Sequence, residues 1–90
     1  MSKFDETMLE LEYAFEEQDG KKLTYRKRMH LSDLVLVIDL ELKTVRPVSI
    51  PTSMLISKEE FVKLYREYEQ MLKDANVIAL RSGRKFKVLD

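Results

Sequence analysis

Leu9-Glu10-Leu11-Glu12-Tyr13-Ala14-Phe15-Glu16-Glu17-Gln18-Asp19-Gly20 is the stretch on which the fold turns. Two periods compete within it. Phe4, Met8, Leu11 and Phe15 recur at helical spacing, whereas Leu9, Leu11, Tyr13 and Phe15 alternate with Glu10, Glu12, Ala14 and Glu16 at strand spacing. The end of the stretch favours the strand. Gln18-Asp19-Gly20 suits a three-residue hairpin loop with Gly20 in the left-handed position. That register sets Phe15 opposite Leu23, Tyr13 opposite Tyr25 and Leu9 opposite Met29. On the other face Glu12 meets Arg26 and Glu10 meets Arg28, and such cross-strand pairs contribute roughly 0.2–1 kcal/mol each.

Beyond this hairpin the clearest strand is Leu34-Val35-Leu36-Val37-Ile38-Asp39-Leu40-Glu41-Leu42. Leu34, Leu36, Ile38, Leu40 and Leu42 line one face, while Asp39 and Glu41 keep the far end of the other face wet. Val35 and Val37 make the first half apolar on both sides. That half is either central and covered twice or part of a subunit interface. Pro47 and Pro51 bracket Val48-Ser49-Ile50, and proline cannot donate to a ladder, so this is an edge strand or an extended connector. Ser57-Lys58-Glu59-Glu60 is a capping box. It opens a helix to about Asp74, with Phe61, Leu64, Tyr65, Tyr68 and Leu72 as its core stripe and Asn76 as its stop. Val77-Ile78-Ala79-Leu80 and Lys85-Phe86-Lys87-Val88 then read as a last hairpin around Ser82-Gly83. The expectation is an α+β fold for a single domain over residues 1–90. It has an antiparallel sheet of about five strands in the order β-β-β-α-β-β, with one main helix packed on one face.

Composition narrows the function classes. Sixteen basic and sixteen acidic residues cancel, so no whole-molecule field draws in nucleic acid or anionic membrane, and self-association is eased. The charges are nevertheless segregated. Residues 1–19 hold seven acids and one lysine, residues 21–30 five basic groups and no acid, and residues 81–87 four basic groups and no acid. With no cysteine, disulfides, thiol catalysis and thiolate-bound metals are excluded. Lack of disulfide staples in so small a chain points to a reducing cytoplasm. Met1–Glu6 shows no apolar stretch of signal-peptide length, and the apolar run Leu34–Ile38 is far below the ~20 residues of a membrane helix.

Catalytic motifs are missing. Two glycines cannot build a phosphate-binding glycine loop, a single histidine, His30, rules out a multi-histidine metal site, and no carboxylate pair stands out as acid and base. The expectation is no enzyme, no cofactor and no metal. Tyr25-Arg26-Lys27-Arg28 and Arg81-Ser82-Gly83-Arg84-Lys85-Phe86-Lys87 interleave cations with aromatics, as nucleic-acid strands require. Tyr25, Arg26, Arg28, Arg84, Lys85 and Phe86 are therefore candidates for binding single-stranded nucleic acid or an acidic partner. Against this, glutamates across the hairpin would neutralise the arginines, and edge lysines serve to block strand pairing. Lys27 is odd, since alternation turns it to the apolar face opposite Leu11. It either snorkels at a sheet edge or serves a partner's carboxylate. Lys27, Val35 and Val37 are the candidates for a protein interface.

Asp39-Leu40-Glu41 followed by Arg46-Pro47-Val48-Ser49-Ile50-Pro51 resembles a late-strand pattern of hotdog-fold acyl-CoA thioesterases, over under a fifth of the chain. The turn here is longer, Ser49 stands for a usual proline, and nothing before the strand matches that family's central helix and catalytic acid. The resemblance implies an acyl-thioester hydrolase formed across a dimer, and no site residue carries over. The first expectation remains a small interaction module (regulator, inhibitor or adaptor), homodimeric and bound to another protein, with single-stranded nucleic-acid binding as the alternative.

Overall fold

The computed structural model describes residues 4–83 and 85–89. In chain order the elements are α1 (Asp5–Glu10), β1 (Ala14–Asp19), β2 (Lys22–Arg28), β3 (Ser32–Asp39), β4 (Thr44–Pro51), α2 (Lys58–Arg81) and β5 (Lys87–Val88). The strands form one sheet in sequence order, antiparallel from β1 to β4 and parallel between β4 and β5. The class is α+β with five strands and one main helix, as the sequence predicts. The element order and the strictly antiparallel sheet need correction.

Residues 4–17 use both of their periods, one after the other. Phe4 and Met8 are buried on α1, and β1 begins only at Ala14. Between them α1 closes in a Schellman motif: Tyr13 N donates to Met8 O at 2.8 Å and Glu12 N to Leu9 O at 3.1 Å. The left-handed position of that motif is usually glycine; here Glu12 holds it at φ 67°. The expected partners shift accordingly. Phe15 faces Tyr25, Gln18 faces Leu23, and a bulge lies between Phe15 and Glu17. The hairpin loop is the tighter two-residue kind, flanked by the Asp19–Lys22 pair, with Gly20 at φ 61° in its first central position. Glycine there is the mark of a turn whose twist matches the flanking strands.

β3 is central, and Leu34, Leu36 and Ile38 are fully buried on the covered face. Leu23, Tyr25 and Val45 join them from β2 and β4, under Phe4, Met8, Met71, Ala75, Ile78 and Phe86. The capping box is present: Glu60 N donates to Ser57 Oγ at 3.2 Å and Ser57 N to Glu60 Oε1 at 3.1 Å.

α2 does not stop at Asn76. It runs through residues 77–80 to Arg81, so the expected last hairpin is not formed, and the short β5 pairs with β4 instead. Core geometry explains this. Met71, Ala75, Ile78 and Ala79 recur at 4, 7 and 8 residues, one helical face, and all four are buried. Asn76 points to solvent, with Nδ2 donating to Leu72 O at 2.9 Å.

The buried face of α2 is rotated from the stripe expected. Its first buried residue is Glu67, while Phe61 is 63% and Tyr65 56% exposed. A 24-residue helix is about 36 Å long, whereas an eight-residue strand such as β3 spans only ~26 Å. Leu31, just before β3 at the end of the sheet that Pro51 shares, meets α2 at Glu67, so the first two turns of α2 project past the sheet. No helix among the described residues is long and apolar enough to cross a membrane.

Candidate interaction surface

The sheet leaves one face uncovered. By alternation that face carries Thr24, Arg26 and Arg28 of β2, Asp33, Val35 and Val37 of β3, and Arg46, Val48 and Ile50 of β4. Arg26 lies between two acids. Its Nε donates to Glu16 Oε1 at 2.8 Å and one guanidinium NH to Asp33 Oδ2 at 3.0 Å. These hydrogen bonds, Glu16's first, raise the guanidinium pKa. Arg28 Nε stands 3.5 Å from Asp33 Oδ1 with the rest of its side chain in water. The arginines are quenched as expected, but by Glu16 and Asp33 instead of Glu12 and Glu10. Glu10 pairs with Arg81. Val35 is 6% exposed and Val37 half-buried, so neither valine presents a broad surface; Val48 and Ile50 are more open.

The nucleic-acid candidates are not brought together. Tyr25 is 1% exposed on the covered face and its hydroxyl donates to Asp5 Oδ1 at 2.8 Å. Phe86 is buried edge-on against Phe4, with ring centres 5.3 Å apart. Neither ring is open to stack on a base. Lys85 is exposed, but β3 and β4 separate its segment from β2. Arg84 lies outside the described residues.

Lys27 faces the covered side, as alternation requires, but its partner is internal. Its Nζ donates to Leu11 O at 2.9 Å and Asp74 Oδ2 at 3.3 Å, and sits 4.8 Å from the Tyr13 ring centre. Asp74, 2% exposed, also accepts from Tyr13 Oη at 3.0 Å and from Gln70 Nε2 at 3.0 Å. Burial first, then the charge and hydrogen bond of Asp74, push the Tyr13 hydroxyl far above its ordinary pKa of 10.0. This cluster ties the link between α1 and β1 to β2 and α2, and Lys27 is not open to a partner.

Both sheet edges discourage strand addition. Lys87 N donates to Lys43 O and Leu89 N to Val45 O, so the odd-numbered residues of β4 turn their backbone groups outward. Pro47 and Pro51 fall on that side, where the missing N–H removes nothing from the β3 ladder and leaves a poor template. The other edge, β1, is acidic, exposed and bulged.

The broadest apolar exposure lies elsewhere, on the projecting half of α2 and the loop before it. Met54, Leu55, Phe61, Val62 and Tyr65 are each more than half exposed. Phe61, Tyr65, Tyr68 and Leu72 are spaced 4, 3 and 4, the seam a second helix packs into, and the Tyr65 and Tyr68 rings lie 6.3 Å apart. The stripe predicted for the core is thus its continuation onto the surface. Reading it as core missed the rotated stripe of Met71, Ala75 and Ile78, whose spacing was equally visible. No group of three or more metal-ligating side chains occurs among the described residues. Comparison with family models, characterised proteins and solved structures finds no match.

Proposed function

We propose that this chain is a non-catalytic protein-interaction module that self-associates through the projecting half of α2. The observation that supports it is the helical seam Phe61–Tyr65–Tyr68–Leu72, continuous with the core at one end and bare at the other. Large exposed apolar side chains gathered at one end of a small domain mark a docking surface. A second copy offers the same seam, so an isologous pair covers both at once, and zero net charge offers no repulsion against it. Burying one such ring contributes roughly 1.5–3 kcal/mol, so a few on each copy suffice for a micromolar dimer.

Sedimentation equilibrium tests this on two variant pairs. Phe61→Glu/Tyr65→Glu is expected to give a monomer at all concentrations with unchanged folding. Val48→Glu/Ile50→Lys, on the open sheet face, is expected to leave the dimer intact. A wild-type chain that stays monomeric, or a dimer lost only in the sheet-face pair, sinks the proposal.

A further inference from the structure

Beneath the projecting half of α2, on the flank away from the apolar seam, lies a cleft of about 430 Å³ lined by His30, Leu31, Glu60, Lys63, Arg66 and Glu67. It exists because the sheet ends at the turn before Ser32 while the helix continues, and because the sheetward face of the helix turns polar there. Glu60 and Glu67 occupy the row that Met71 and Ile78 fill further along, Lys63 lies in the row of Asp74, and half-buried Leu64 is the one apolar side chain between them, so the corner stays open.

Unpaired donors outnumber uncommitted acceptors in the cleft. Glu67 is fully engaged: both of its oxygens accept from Leu31 N at 3.1 Å, and Oε1 also accepts from Ser32 Oγ at 2.7 Å. Glu60 is held by the Ser57 amide in the capping box. Among the described residues no ion pair or hydrogen bond engages the side chains of His30, Lys63 or Arg66. Glu67 and one oxygen of Glu60 are therefore tied into the fold, while exposed His30, Lys63 and Arg66 line the same concavity as half-buried Leu31. A volume in the lower part of the small-ligand range with an apolar side chain and a guanidinium in its lining suits a carboxylate carried on a short apolar body, since a planar fork matches that group.

We propose that this cleft is a binding site for a small organic carboxylate. It stands independently of self-association, because Lys63 and Arg66 lie on the opposite flank of the helix from Phe61 and Tyr65.

The test is a titration of the full chain followed by amide chemical shifts, with 4-phenylbutyrate, its neutral amide and inorganic phosphate as probes. The expected result is saturable shifts confined to residues 30–31 and 60–67 with the carboxylate, at a Kd of about 1 mM for a probe of this size. The neutral amide and phosphate give none. Lys63→Gln/Arg66→Gln, both exposed and outside the core, weakens binding at least ~10-fold, as loss of a charge-assisted hydrogen bond does. Absence of saturable shifts at about 10 mM overturns the proposal. Equal binding of the amide, a phosphate preference or undiminished binding by the double variant does so too.

Discussion

Lys27→Met and Asp74→Leu, made singly and together, probe the cluster that joins both ends of the chain. The Lys27 side chain is 14% and the Asp74 side chain 3% exposed. Removing Lys27 leaves a buried carboxylate with only the neutral donors of Tyr13 and Gln70. Removing Asp74 strands an ammonium whose other oxygen contact is Leu11 O. Breaking one side of a buried pair costs about 3–5 kcal/mol, and the surviving hydrogen bonds place each single variant near ~3 kcal/mol. That is a large share of the ~5–13 kcal/mol expected for 90 residues. With a urea slope of about 1.5 kcal/mol/M, each midpoint falls by ~2 M. The double variant buries no unpaired charge; it leaves the buried Tyr13 hydroxyl without its acceptor, about 1–3 kcal/mol, while exposed Gln70 and half-buried Leu11 O can turn to water. It is therefore expected to be no less stable than either single, with a coupling energy of at least ~2 kcal/mol. Urea denaturation of the four proteins measures this. Singles within about 1 kcal/mol of wild type, or effects that simply add, would refute the reasoning and return Lys27 to the solvent edge.

Tyr13→Phe separates a pH effect from the same cluster. Because folding raises this hydroxyl pKa, its stabilising share is complete below the unfolded value of about 10 and is lost as pH rises beyond it. Above that pH the wild-type stability falls more steeply than that of Tyr13→Phe, by up to about 1.4 kcal/mol per unit, and denaturation at pH 9 and 11 reads the difference. Glu12→Gly tests the end of α1: relief of the left-handed strain, about 1–2 kcal/mol, exceeds the extra unfolded-state entropy of glycine, about 0.4–1 kcal/mol. The variant is therefore expected to melt higher, while a lower Tm would mean that Glu12 is extended as a strand residue.

Three features were fixed by residues acting over short range, and those were legible. The alternation of Leu34, Leu36 and Ile38 made β3. The Ser57–Glu60 box set the start of α2. Pro47 and Pro51 marked as an edge the part of β4 that the two-residue β5 leaves unpaired. Each signal has its physical cause within a few residues, in the pleat, the cap or the missing N–H. What the tertiary structure alone decided is where a segment allowed two periods and the rest of the chain chose between them. Residues 4–15 became a helix followed by a strand because Phe4 and Met8 found Phe86 and the sheet, and Tyr13 found Asp74. Residues 77–80 joined α2 because Ile78 and Ala79 complete the face begun by Met71 and Ala75, burial that a separate hairpin would forgo. The partner of Lys27 and the bareness of Phe61 and Tyr65 result from those two choices, since contacts between residues dozens of positions apart have no period of their own to read.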